Sequence, residues 1–385
     1  MRFGKVKESI LKRSVLRQLH RHTPFGSPQY GEDAGLLPAD SSQLAWANVP
    51  AEPVSSGEDR KRDSLGPGEP GSGDRIAVSV NPVEGWTLAA RRTVYTAVNS
   101  LAAAGAVPAG ISLSILMPKE TEEPALKKLM REIDALCGEE GICCLSGHTA
   151  VSPYVTDLVI SVTALGYQNV KGGMASATRK TDRIGNEGKQ SSATRETDRA
   201  GSGGKQPALR PGMDIIVAGT VGREGAAILA HRREKELLTR YPAFFVEEAK
   251  CLFDDGSMAA AAAVARQAGT AYIHDVREGG IFAALWELAA TGKVGIDTEL
   301  KRIPIRQHTI EVCEFFRLNP YMLRSGGTLL LACDNGERVT AALAGAGILA
   351  AVIGRTTDNN DKIIRYDDEI RYLEPPKEDE LYHII

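Results

Sequence analysis

A polar segment of 16 residues, written twice in succession, most constrains how this chain can fold. SATRKTDRIGNEGKQS at 176–191 recurs as SATRETDRAGSGGKQP at 192–207. Neither copy has an apolar face, so the repeat cannot stack into a solenoid and no core can be built through it. A tract whose length no packing constrains is a linker. The chain is therefore expected to form two domains, 1–168 and 211–385, joined by a polar linker at 169–210. A length of 385 residues suits that count. A second tract, PAEPVSSGEDRKRDSLGPGEPGSGDR at 50–75, also lacks any apolar period and reads as a mobile insert in the first domain.

Elsewhere the composition is that of a globular chain, 43% hydrophobic and 25% charged. With 46 basic and 49 acidic residues the net charge is −3, which gives no reason to expect nucleic acid or an anionic membrane as partner. No apolar run approaches the roughly 18 residues of a membrane span. The six cysteines form no CxxC pair, which fits free thiols in a reducing, cytoplasmic setting. Cys143 and Cys144 are expected to be buried and structural. The first 22 residues carry seven Lys/Arg against one acid, Glu8. Val6, Ile10, Leu16 and Leu19 lie near one helical stripe there, so a docked helix is favoured over a transit peptide.

The first domain alternates strands with helices. Ile76–Val80 reads as a buried strand ending at Asn81-Pro82, and a helix follows from Thr87 to Gly105. Ile111, Leu113, Ile115 and Met117 alternate with serines at 112 and 114, the period of a half-buried strand. Thr121 should open a second helix with Pro124 in its first turn, and 142–145 and 157–165 supply further strands. This is an α+β arrangement, a ferredoxin-like mixed sheet with helices on one face. The second domain reads as α/β, with strands at 214–219, 272–273, 328–332 and 351–353 and a helix from Ile281. No GxxxxGK[ST] phosphate loop occurs.

Five short segments place polar groups beside small residues, most of them near expected strand ends, where a ligand can approach the backbone, and one, Asn99-Ser100, inside the first helix. They are Gly31-Glu32-Asp33-Ala34, Asn81-Pro82, Asn99-Ser100, Ser146-Gly147-His148-Thr149 and His274-Asp275-Val276-Arg277-Glu278-Gly279-Gly280. In this order they resemble the aminoimidazole-ribonucleotide (AIR) synthase superfamily, nearest its HypE-like hydrogenase-maturation branch. GEDA at 31–34, AVNSLAAAGAVP at 97–108, SGHTAV at 146–151, HDVREGGIFAALWELA at 274–289 and RSGGTLLLA at 324–332 carry the resemblance.

The resemblance implies a two-domain AIR-synthase-like fold, a homodimer formed through the N-terminal sheets, and ATP in a cleft lined by both domains. It implies phosphoryl transfer to an amide- or carbonyl-type acceptor, with magnesium held by carboxylates. Carried over, the catalytic candidates are His148, Asp275 and Glu278. The cofactor-binding candidates are Gly31, Glu32, Asp33, Asn81, Asn99, Gly147, Thr149, Gly279 and Gly280, and Glu32 and Asp33 are the metal ligands. Departures fall on the chemistry. Asn81 stands where most relatives have Asp, Ser100 follows Asn99 where they have Asp, and Ala150 stands where the HypE branch tends to have Glu. Magnesium binding is thus expected to be weakened. The chain closes DELYHII, its last cysteine being Cys333, so the C-terminal thiol chemistry of HypE proper is expected to be absent. Two alternatives stay open. One is a catalytically silent dimeric scaffold that binds a partner in a maturation pathway. The other is a transition-metal enzyme using His148, His274, Asp33 and Asp275.

The linker reading has a direct check. Deleting one copy of the repeat removes no core contact, so the melting temperature should stay within about 2 °C of wild type. A larger drop would show that the segment packs.

Overall fold

A computed structural model of the protein describes residues 34–38, 75–168 and 209–385. The expectations for Gly31, Glu32, Asp33, the basic first residues, nearly all of the 50–75 insert and the duplicated segment lie outside the described residues.

The first sheet runs in the order β1 (Gly35–Pro38), β2 (Arg75–Glu84), β5 (Val159–Gln168), β3 (Val107–Met117), β4 (Cys143–Val151). Helices α1 (Ala89–Ala103) and α2 (Glu123–Glu140) connect β2 to β3 and β3 to β4. The period-two pattern of β3 is realised: Ile111, Leu113, Ile115 and Met117 pack in one cluster with Val94, Val98 and Leu101 of α1 and Leu129 and Ile133 of α2. Those four residues therefore face the domain's own helices and cannot form a dimer interface. The uncovered face is the reverse one, where Val80 is 62% and Tyr167 58% exposed.

Two strands of this sheet run further than their sequences suggest. β2 continues through Asn81-Pro82 to Glu84. Beyond Val78, where pairing with β1 stops, one side of β2 is open among the described residues, and a residue without an N–H is tolerated there. β4 continues through 146–151 in a parallel ladder with β3, so this motif lies within a strand and not after one. Its residues are almost all exposed, Cys143 and Cys144 included, which corrects their expected burial. A last strand has a neighbour on one side only, and the helices cover little of this one.

The second sheet has the order β12 (Glu369–Tyr372), β11 (Lys362–Tyr366), β8 (Gly295–Glu299), β10 (Ala350–Thr357), β6 (Asp214–Gly219), β9 (Thr328–Cys333), β7 (Thr270–Val276). Only β11 and β8 pair in parallel. The helices used below are α3 (Arg223–Arg232), α4 (Ala243–Lys250), α5 (Ala259–Gln267), α6 (Gly280–Gly292), α7 (Gln307–Phe316) and α8 (Gly336–Gly345). β6 and β9 are buried along almost their whole length because helices cover both faces of this sheet. Among the described residues no helix is long and apolar enough to cross a membrane.

The two sheets meet across α1. One side of this helix packs on its own sheet, while Ala102 and Ala103 join the cluster of Ile216, Met258, Ala261 and Ala265. Tyr95 packs edge-on against Phe253, ring centroids 5.6 Å apart, and its hydroxyl donates to Asp254 O at 2.8 Å. Small residues let a second layer approach a helix this closely. Asn99 fixes the approach: its Nδ2 donates to Gly256 O at 2.9 Å and its Oδ1 accepts from Met258 N at 2.7 Å. Arg266 of α5 donates to Ala102 O at 3.2 Å and also to Ala103 O, covering the carbonyls at the end of α1.

Asn99→Ala would orphan two buried backbone groups at once, so a loss of about 2–4 kcal/mol is expected. Urea unfolding measures it. A change under about 0.5 kcal/mol, the size of an ordinary surface substitution, would contradict the clip.

Candidate functional site

Strand pleat decides which polar side chains reach the junction between the sheets. On β2, Ser79 and Asn81 point inward with Ala77 and Val83. Ser100 reaches the same place from α1. Asn81 Nδ2 donates to Ser79 Oγ at 2.7 Å and to Ser100 Oγ at 3.3 Å, and Ser100 Oγ donates to Thr96 O at 2.7 Å. The two positions at which carboxylates were expected by resemblance are therefore in contact, and here both are neutral.

From the other sheet, β7 delivers His274 and Asp275 to opposite faces. His274 Nε2 lies 2.8 Å from Glu287 Oε2 of α6, both buried, with the Tyr272 ring stacked alongside at 6.2 Å. His274 is thus held within the second domain. Asp275 faces the junction, its Oδ2 3.4 Å from Arg277 Nε. Arg277 then crosses to the first domain, where its Nη1 donates to Asn81 Oδ1. The Asp275 side chain is 0% exposed and that of Arg277 24%, so the carboxylate is enclosed while the arginine side chain is partly exposed.

A second cluster adjoins this one. Glu224, in the first turn of α3, accepts from Arg92 Nε at 3.1 Å and from Gly326 N at 3.0 Å, and lies 3.9 Å from Arg324. Arg324 also lies 3.5 Å from Glu278, which accepts from the Tyr382 hydroxyl at 2.7 Å. Burial alone would lower the Arg324 pKa, but Glu224, Asp379 and Glu278 together hold it above its ordinary value. Gly279 caps α6 at φ +78°, and its N–H donates to Asp379 Oδ2 at 2.6 Å. A Cβ on Gly280 would fall 2.5 Å from Tyr321 O, so only glycine fits that turn. The backbone position expected to meet phosphate is thus filled by the chain's own carboxylate, brought by its last turn. Asp379 Oδ1 accepts from Leu381 N at 2.9 Å and Arg324 N at 3.3 Å.

The candidate residues consequently divide. Asn81, Asp275, Glu278, Gly279 and Gly280 meet at the junction. Asn99 lies beside it, with both ends of its amide engaged in the interdomain clip. Gly147, His148 and Thr149 lie on exposed β4. Register connects His148 to Ser114, Ser161 and then Pro82, three strand spacings or roughly 14 Å from β2. His148 and His274 do not converge, and among the described residues no group of three His, Cys, Asp or Glu is placed to hold a metal.

Sequence reading passed over Arg277, Arg92, Glu224, Arg324, Asp379 and Tyr382. Gly222-Arg223-Glu224-Gly225, charges between glycines just after a strand, was the available signal for Glu224. Arg92 was visible as a cation inside an apolar helical stretch. Nothing local marks Asp379.

The comparisons agree with this architecture. The chain belongs to the family of AIR synthase related proteins, matching the N-terminal domain over residues 73–168 and the C-terminal domain over 210–367. Within that family it is HypE-like. The carbamoyl dehydratase HypE of Rhizobium leguminosarum bv. viciae is 24% identical over 279 residues, 71% of this chain and 69% of that protein. The crystal structure of the hydrogenase maturation protein HypE in complex with ATP shares the fold at TM-score 0.57 and 18% identity, over 88% of this chain and 91% of that one. AaThiL complexed with AMPPCP and TMP does so at TM-score 0.63 and 15% identity, over 97% and 98%.

The last turn should be sensitive to pH. Burial raises the Asp379 carboxyl from its ordinary 3.8 to about 6, against the opposing pull of Arg324 and the N–H groups of Gly279 and Leu381. An acid whose pKa is raised by folding adds stability below its ordinary pKa and loses it as pH rises through the folded value. Asp379→Asn removes this titration. The melting temperature of wild type relative to that variant should therefore climb between pH 7 and pH 5, and a flat difference would contradict the assignment.

Proposed function

We propose that this protein binds a nucleoside triphosphate such as ATP, with its phosphates at the junction of the two sheets, and transfers a phosphoryl group to a small amide- or carbonyl-type acceptor. One observation carries the reading. Arg277, from the turn after β7, reaches across to Asn81 of the first sheet and presents a partly exposed guanidinium where the halves meet. A guanidinium fork suits phosphate oxygens. The fold is one whose solved relatives include a HypE in complex with ATP and a ThiL with AMPPCP and TMP, which supports nucleotide in particular. Asp275 orients Arg277, and Glu278 is the nearby carboxylate able to exchange a proton with an acceptor. Titration calorimetry with AMPPCP tests the reading. Saturable binding at micromolar to submillimolar concentration is expected, and none at millimolar concentration would refute it.

A second reading is favoured by the last turn. Tyr382 on Glu278 and Asp379 on Gly279 N cover groups a substrate would use, as in a scaffold whose cleft is closed. Asp379→Asn with Tyr382→Phe distinguishes the two. Tighter AMPPCP binding in that variant means a covered working site, whereas no binding in either form favours the scaffold.

The homodimer proposal moves to the uncovered face of the first sheet. Val80 and Tyr167 stand exposed there on adjacent strands β2 and β5. An apolar face of this kind is a place for a second copy. Val80→Lys with Tyr167→Glu should shift sedimentation from dimer to monomer without lowering helical content. A wild type that sediments as a monomer would refute the dimer.

A further inference from the structure

A divalent cation at the junction would need anionic oxygens to balance its charge. Asn81, Ser79 and Ser100 offer neutral ones, and the Asp275 carboxylate already faces Arg277. On the described residues alone, the place between Asn81 and Asp275 therefore does not fit magnesium. A cation is nevertheless present there, covalently attached. We propose that Arg277 is the fixed cation of this cleft, standing between Asn81 and Asp275 in place of a metal ion and pairing directly with a phosphate oxygen of the bound ligand.

The hydrogen-bond inventory of the side chain supports this. A guanidinium has five N–H donors. Arg277 directs Nε toward Asp275 and one Nη1 hydrogen to Asn81. Its Nη2 donates to nothing among the described residues, and 24% of the side chain is exposed. The backbone beneath is held, since Arg277 O accepts from Gly280 N and Ser325 N, each at 3.1 Å. Side chain and main chain are both anchored, and Nη2 keeps its donors for a ligand. Such an arginine is pre-organised for an oxyanion and gives up little entropy on binding it. It also explains the neutral residues: an aspartate at 81 would close an ion pair with Arg277 and draw the fork inward. Asn81→Asp alone is therefore expected to raise stability and weaken phosphate binding, not to create a metal site.

The inference rests on the nucleotide reading, and the test separates the two. AMPPCP and tripolyphosphate are titrated calorimetrically into the full chain with EDTA or with magnesium, and manganese alone is followed by electron paramagnetic resonance. Wild type should bind AMPPCP in EDTA within about threefold of its affinity with magnesium, and should bind no manganese at the junction. Arg277→Thr should weaken AMPPCP by about tenfold or more, and Arg277→Lys, which keeps the charge but not the fork, by less. Asn81→Asp combined with Arg277→Thr should bind manganese. Circular dichroism confirms that each variant folds. A wild type that loses AMPPCP in EDTA, or an Arg277→Thr variant that binds it undiminished, overturns the proposal. If wild type binds neither phosphate compound under either condition, the nucleotide reading falls and takes the phosphate contact with it. Manganese then decides the rest: binding by the double variant and not by wild type upholds the guanidinium as the stand-in cation, and any other result overturns it.

Discussion

Everything at the junction depends on α1 being buried on both sides. A helix with one wet face would fix one sheet only, whereas 13 of the 15 residues of α1 are buried between two. That position forces each buried polar group on it to find a partner. Arg92 and Asn99 find theirs across the boundary, in Glu224 and the backbone of 256 and 258, while Ser100 meets Asn81 of its own sheet. Burial, and then the neighbouring Arg324, lower the Arg92 pKa despite its carboxylate partner Glu224. A buried pair of this sort adds little net stability but is costly to break, so it selects one arrangement of the two halves over others.

That arrangement places the chemistry. Because Arg92 and Glu224 bring α3 against α1, Gly326 N can reach Glu224, and the loop before β9 comes to lie beside the turn after β7. Ser325 reinforces it, its N–H donating to Arg277 O and its Oγ accepting from Gly222 N at 2.7 Å. Three turns from distant parts of the chain are tied into one wall. The charges on that wall are guanidinium and carboxylate side chains, which suits recognition of an anion by fixed donors in preference to a recruited ion.

Much of this was legible in the sequence, and what was missed has a physical pattern. Strand β3 could be read because one face is apolar and the other carries Ser112 and Ser114, and period two survives in such a strand. Strands β2, β4 and β7 run on past Val80, Leu145 and Ile273, because the polar or turn-forming residues that suggest an end there sit inside a ladder. The junction was visible from Asn81, Asp275 and Gly279, whose residue types stand out beside glycine and proline. Arg277 lies in the same motif, but nothing local marks it, since its partner is 196 residues away. Asp379 and Tyr382 had no signal at all, for their roles come from where the last turn docks and not from any local pattern. His148 shows the converse error, an attractive residue type on a strand that the fold leaves outside.

The most direct test of this account is a double-mutant cycle on Arg92 and Glu224, 132 residues apart in sequence and joined at 3.1 Å. Arg92→Leu, Glu224→Leu and the double variant would be unfolded in urea. If α1 holds the halves in one arrangement through this pair, the two losses should be non-additive by at least about 1.5 kcal/mol, with the double variant recovering much of the loss. Losses that add to within about 0.5 kcal/mol would mean that the pair is not formed, and the junction would then have to be built some other way.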